Sequence, residues 1–327
     1  MKEVRRYSNV QFLGLYDGDV ALWYPDRLEV GSVVVPVERG DDFAIWDESR
    51  YLSRRRNHAR MILDGGDFVE WPQGRYGKIN RINDYAYSKK YGNGVCSLSL
   101  IQGDKENLVD VVFDGFEPDL VNIVGDVIML SDCVIDCHAL LFYSRTGERL
   151  WEYREEEANQ NINSLCIPVV DDVVVVISQE SIIPEKIQGF NIKTGEKLWH
   201  LDLSEIGCSN TFFVGEDKML YGCITCYKEL LLFRLNPYTG SLESWKLLSD
   251  KDLDVMSWLV TMHGQRLYYT DNRRGNEIGV IDVDRRELVE RVPLNIEKKV
   301  TIGAPVVSDD KVYVFIRDLR ELRVFEK

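Results

Sequence analysis

The chain has 327 residues, 45% of them hydrophobic and 29% charged, with a net charge of −14. That length holds a sizeable core and accommodates two ordinary domains or one closed repeat array. An acidic surface repels nucleic-acid phosphates and anionic lipid, so both are set aside as partners and a basic protein is favoured. The first residues, Met1-Lys2-Glu3-Val4-Arg5-Arg6, are followed by no apolar run, so no secretory signal is read. No segment is long and apolar enough for a membrane-spanning helix. Seven cysteines, at 96, 133, 137, 166, 208, 223 and 226, are scattered through strand-like runs. Their odd number and setting fit reduced thiols, and a cytoplasmic location is expected.

Taken in order, nearly every segment alternates with period two and is rich in Val, Ile, Leu, Tyr and Phe, which is an all-β signature. The stretch 31–63 fits a four-stranded unit loosely, with Phe43-Ala44-Ile45-Trp46 as a strand and Arg54-Arg55-Arg56-Asn57 as a third-to-fourth turn. Units follow at 77–113, 119–153, 168–203, 210–247 and 257–294. The clearest holds strands near 166–170, 173–178, 187–192 and 197–203, with the unbroken apolar run Val173–Ile177 as a strand buried on both faces. The last unit, 303–327, lacks its outer strand. The alternation Val10-Gln11-Phe12-Leu13-Gly14-Leu15-Tyr16 is assigned to fill it, which would close a ring and remove its open edges. The expected architecture is one β-propeller domain over residues 1–327, of about seven four-stranded antiparallel blades, six or eight being the alternatives.

A ruler runs through these units. Arg145-Thr146-Gly147-Glu148-Arg149-Leu150-Trp151 recurs as Lys193-Thr194-Gly195-Glu196-Lys197-Leu198-Trp199 and, more loosely, as Tyr238-Thr239-Gly240-Ser241-Leu242-Glu243-Ser244-Trp245. A faded copy spans Asp282–Val292. The tryptophans stand 48 and then 46 residues apart, a spacing that marks a repeat architecture. The stretch resembles the quinoprotein-type (PQQ-like) β-propeller repeat. The resemblance implies that each tryptophan packs between adjacent blades, and it carries no requirement that the quinone be bound. The chain reads as a non-enzymatic cytosolic member, without cofactor.

Strand parity then sorts the connections. Loops leaving the fourth and second strands of each unit emerge on one face, and the other turns on the opposite face. Binding residues concentrate on such loops. The inter-unit loops are acidic: Asp114, Glu117 and Asp119 around Phe116; Glu155, Glu156 and Glu157; and Asp250, Asp252 and Asp254. Ile182 adds an apolar group from a second-to-third loop. These residues form the candidate partner-binding face, toward which a basic protein would be steered. The plainer alternative is a set of solvated loops on an acidic protein.

Catalytic and metal chemistry finds less support. His58, His138, His200 and His263 are dispersed, and no convergent nucleophile and base can be assembled from them. Cys223-Ile224-Thr225-Cys226 has zinc-like spacing and Cys133, Cys137 and His138 lie two units away, but idle or buried thiols are the better reading. The arginine run at 54–56 reads as a charged hairpin. The resulting expectation is a monomeric bacterial protein that binds a basic protein through its acidic loops, specifically an immunity or inhibitor protein that neutralises a toxin. A propeller hydrolase, lyase or lactonase with a central-channel site and a scaffold subunit are the alternatives.

Overall fold

The computed structural model describes the chain except residues 17–18, 32, 37–40, 48–49, 56–57, 63–67, 71–78, 83–84, 93–94, 103–104, 113–118, 133–136, 158, 165, 181–182, 204–207, 251–252, 272–276 and 297–299; between 33 and 120 it describes mainly strand backbone. The chain divides into two compact units. One comprises Met1–Ser8, Val134–Leu140 and Trp151–Lys327; the other comprises Asn9–Cys133 and Leu141–Leu150.

The second of these contains three antiparallel four-stranded sheets. They are Gln11–Tyr16, Asp19–Trp23, Arg27–Val30 and Val33–Pro36; Asp41–Asp47, Arg50–Arg55, His58–Ile62 and Phe68–Glu70; and Ile79–Ile82, Tyr85–Gly92, Val95–Gln102 and Lys105–Val112. A fourth sheet is Asp119–Val124, Val127–Ser131, Ala139–Ser144 and Arg149–Arg154. Residues 9–70 thus hold two sheets where the sequence pattern reads one, and eight sheets stand among the described residues in place of about seven. The arginine hairpin also moves: Arg55 pairs with His58, so the turn joins second and third strands, not third and fourth.

In the first unit, a sheet of Asn161–Ile162, Val169–Val170, Val173–Glu180, Ile183–Asn191 and Lys197–Asp202 is followed by two more. These are Phe213–Val214, Leu220–Cys226, Glu229–Leu235 and Leu242–Ser249, then Val260–His263, Arg266–Asp271, Glu277–Asp282 and Glu287–Pro293. The last sheet is Val306–Val307, Lys311–Ile316 and Glu321–Glu326, completed by Lys2–Ser8 antiparallel to Glu321–Glu326. The N-terminus does supply the missing outer strand, but with residues 2–8; the apolar alternation at 10–16 instead opens a sheet of its own. Outer strands face solvent on one side, and of Lys2–Ser8 only Glu3 and Tyr7 are partly covered.

Period-two geometry explains how each sheet packs on two neighbours, since successive side chains point to opposite faces. Leu220 joins Val175, Ile177, Ile187, Phe212 and Phe233 in one core layer. The next residue, Tyr221, joins Leu230, Leu232, Val255, Leu267 and Tyr269 in another. Tyr268, beside Tyr269, belongs to a third with Val280, Val312, Val314 and Phe325. Each such buried side chain contributes about 1.5–3 kcal/mol. Second strands are therefore buried along their length, as at Val127–Ser131, whereas the outer strand Lys197–Asp202 is only half covered on alternate residues.

Candidate protein-interaction face

The repeated Thr-Gly-x-x-x-Trp stretch forms a joint between neighbouring sheets. Gly195 has φ +73° and lies under the Trp151 ring, where an added Cβ would come within 2.7 Å of the indole. The Trp151 Nε1–H donates to the Ile192 carbonyl at 2.7 Å. One sheet further on, Gly240, also at φ +73°, lies under Trp199, whose Nε1–H donates to the Pro237 carbonyl at 2.6 Å. At the third joint Arg286 (φ 58°) replaces the glycine, and its guanidinium stacks 4.0 Å from the Trp245 ring centre. The same end of the sheets carries further ties. Lys218 donates to Asp171 at 2.9 Å, Tyr238 Oη donates to Asp171 at 2.7 Å, and His263 meets Asp309 at 3.1 Å. This end, built of short first-to-second and third-to-fourth turns, is a structural seam.

The opposite end carries the inter-sheet loops and the second-to-third connections. Within the run Glu155–Glu157, the three carboxylates take different roles. The Glu155 side chain is 1% exposed and accepts from Lys186 Nζ at 2.6 Å. The Tyr153 hydroxyl donates to Gln188 Oε1 at 2.7 Å and contacts Glu155 at 3.1 Å and Ser178 at 3.2 Å. Burial pushes the Glu155 carboxyl up, yet the hydrogen bonds from Lys186 and Ser178 outweigh it and hold the group below its ordinary value. Burial likewise raises the Tyr153 phenol, which stays protonated as a donor. Glu155 is thus a structural acid, unlike the solvated loop carboxylate that its sequence setting suggests. Glu156 is exposed, and Glu157, 56% exposed, lies 3.6 Å from the Lys186 ammonium.

The acids near 250 divide in the same way. Asp250 accepts from Arg291 Nη2 at 3.0 Å, and Arg291 Nε donates to Glu277 at 2.8 Å. These partners, Glu277 first, raise the Arg291 guanidinium further above its usual range. Asp254 is partly exposed. Asp114, Phe116, Glu117, Ile182 and Asp252 lie outside the described residues; Asp119 opens the strand Asp119–Val124, with its side chain outside them too.

What composition did not reveal is the aromatic content of this end. The loop following Leu242–Ser249 is laced onto the neighbouring hairpin: Asp250 N–H donates to the Lys228 carbonyl at 3.0 Å, Thr225 N–H to Val255 O at 2.9 Å, and Val255 N–H to Thr225 Oγ1 at 2.9 Å. The tip of that hairpin is Tyr227-Lys228, with φ of 49° and 69°, and the Tyr227 side chain stands 94% exposed. Trp258, in the 3-10 turn Ser257–Leu259 at the far end of the laced loop, is 50% exposed. Ile183 is 62% exposed at another second-to-third connection. A hairpin tip with two left-handed residues normally selects Asn-Gly, so Tyr-Lys there gives no turn signal. Trp258 sits in an apolar run that reads as core.

The remaining candidates stay apart. His200 lies on the outer strand Lys197–Asp202, and His263 belongs to the seam. Cys223 is fully buried in its strand, and burial pushes its thiol up to about 12, away from the thiolate a metal requires. Cys137 is buried and directs its thiol to the Ala139 carbonyl at 3.4 Å; Cys133 lies outside the described residues. Among the described residues no group of three or more His, Cys, Asp or Glu is placed to hold a metal ion.

No protein-family model matches the chain, and no curated protein matches it. Solved structures do. BamB from Moraxella catarrhalis has 15% identity and a TM-score of 0.59, over 99% of this chain and 97% of that one. Sqt1 from Saccharomyces cerevisiae has 11% identity and a TM-score of 0.60, over 100% and 99%. Hsv2p from Kluyveromyces lactis has 11% identity and a TM-score of 0.51, over 87% and 92%. All three are β-propellers, and the four-stranded antiparallel sheets of this chain have that fold.

Proposed function

We propose that the chain is a protein-binding β-propeller with no reaction of its own, and that a basic partner docks on the loop end of its blades. The observation that carries this reading is the pair Tyr227 and Trp258, 94% and 50% exposed and joined by one hydrogen-bonded loop. Tyrosine and tryptophan anchor protein interfaces more than other residues do. Holding Tyr227 and Lys228 in the left-handed region costs roughly 1–2 kcal/mol each, strain of the kind kept at functional turns. Exposed acids at the same end, such as Glu156, would speed encounter with a basic surface. The narrowest form of the reading is an immunity or inhibitor protein that caps a basic toxin domain.

Site-specific photo-cross-linking tests it in the cells that express the protein. A photoreactive residue at position 227 or 258 should capture a discrete protein, while one at Val214, exposed at the seam end, should not. Capture from position 214 alone would overturn the assignment. The reading also predicts that Ca²⁺ and Zn²⁺ leave the melting temperature unchanged; a saturable rise with either would favour a metal-dependent propeller enzyme.

A further inference from the structure

The strand Lys2–Ser8 pairs with Glu321–Glu326 through one irregularity. Glu3 stands opposite Phe325 and Arg6 opposite Arg323, and the register shifts between Glu3 and Arg5. In a regular strand Glu3 and Arg6, three residues apart, would point to opposite faces. The bulge at Val4 brings both onto the face that Arg323 and Phe325 share. That face borders a cavity of about 360 Å³. Its other side is formed by Val292, Pro293, Leu294 and Asn295, where the outer strand Glu287–Pro293 of the preceding sheet runs out.

Arg323 is the unusual member of this wall. Its side chain is 7% exposed. Nε donates to Glu321 Oε1 at 2.6 Å, and Nη1 donates to the Leu294 carbonyl. Nη2 donates to no protein atom, yet it is not one of the described side-chain atoms sealed in without a partner, so it opens on the cavity. A guanidinium carries its five donors in a fixed fork. Buried with part of that fork unspent, it calls for an acceptor, and a charged acceptor bonds it most strongly. Arg6, at the rim, is 46% exposed and meets Glu3 at 2.8 Å, a surface pair that a ligand exchanges at little cost. The floor is apolar, with Leu294 and Phe325 each 2% exposed. Donors at one side and an apolar floor select an acid with an apolar body; an inorganic anion would leave the floor wet.

We infer that this cavity binds a monocarboxylate with a short apolar body, one oxygen accepting from Arg323 Nη2 and the other from Arg6, whose partner Glu3 is displaced. The same chemistry is offered by a free small acid and by the C-terminal carboxylate of a peptide. The site is built from other residues than Tyr227 and Trp258 and does not rest on the protein-binding reading.

The full chain, labelled with ¹³C at valine methyl groups, is titrated with 4-methylpentanoate and with acetyl-Gly-Gly-Leu, each beside its neutral carboxamide. The Val292 signal, identified by its loss in Val292→Ile, should move and saturate with an acid. The matching amide should bind about tenfold more weakly, as expected for one lost hydrogen bond to a charged group. The tighter of the two acids names the source. Arg323→Met should abolish the shift. Should that variant fail to fold, the exposed rim supplies two more. Arg6→Ala should weaken the acid by a few-fold, and Glu3→Gln, at a 31% exposed position, should tighten it by releasing Arg6. A Val292 signal unmoved by both acids, equal affinity for acid and amide, or binding indifferent to both rim substitutions would overturn the inference. Such a failure would leave cross-linking at 227 and 258 untouched.

Discussion

The two ends of the blades in the first unit use similar residue types for opposite purposes. At the seam end, aromatic rings are clamped: Trp199 is pressed between Gly189 of its own sheet and Gly240 of the next, and its N–H is spent on Pro237. At the loop end, Tyr227 at a hairpin tip and Trp258 beside the loop laced onto that hairpin stand in solvent. Charges divide similarly. Asp171 is bonded to both Lys218 and Tyr238 at the seam, while the loop end keeps Glu156 exposed. The contrast separates residues that hold sheet to sheet from residues available to something else.

The largest effect expected at the seam is Gly240→Ala. Its Cβ would approach Trp199 within 2.6 Å at φ +73°, and Gly189 behind the ring blocks retreat. A loss of about 2–4 kcal/mol follows from left-handed strain plus overpacking, measurable by urea unfolding, with partner binding by the folded fraction unchanged. At the loop end, Tyr227→Ala or Trp258→Ala should do the reverse. Each should weaken a complex by about 2 kcal/mol or more, read by calorimetry, while unfolding midpoints stay within about 0.5 kcal/mol of wild type.

Glu155→Gln sharpens the comparison, because Glu155 is a seam-like residue at the loop end. It should lose about 1–3 kcal/mol by stranding Lys186. The sign with pH follows from its lowered pKa: the wild-type advantage is full above the ordinary glutamate range and is lost as pH falls through the lower folded value. Unfolding curves of both proteins from neutral to acid pH should therefore converge. Replacing Tyr227-Lys228 by Asn-Gly should add about 1 kcal/mol of stability by relieving left-handed strain and weaken binding at the same time. The smallest effect is Glu156→Lys. It should slow association by a few-fold at low salt, with the difference fading as ionic strength rises.

The seam was legible in the sequence because it repeats. Thr-Gly-x-x-x-Trp needs a left-handed glycine under a ring at a fixed interval, so the requirement is written in residue identity. The parity of strands followed from it, and with parity the two ends. Strands without that ruler were harder to place. Lys2–Ser8 is an outer strand whose polar alternation looks like a tail, and the sequence of 9–70 has no Thr-Gly-x-x-x-Trp stretch to count from. The loop end was legible only as charge. Three consecutive glutamates are equivalent on paper, and what turns Glu155 inward is Lys186, 31 residues away. Tyr227 is invisible because its turn lacks the residues that announce one.

Hydrogen exchange on the partner complex, once cross-linking has supplied it, tests the division of the two ends most directly. Amides in 155–160, 225–229 and 253–259 should gain protection on binding, while those in 171–172, 192–195, 215–218 and 237–240 should exchange as in the free protein. Protection confined to the second set would contradict the account.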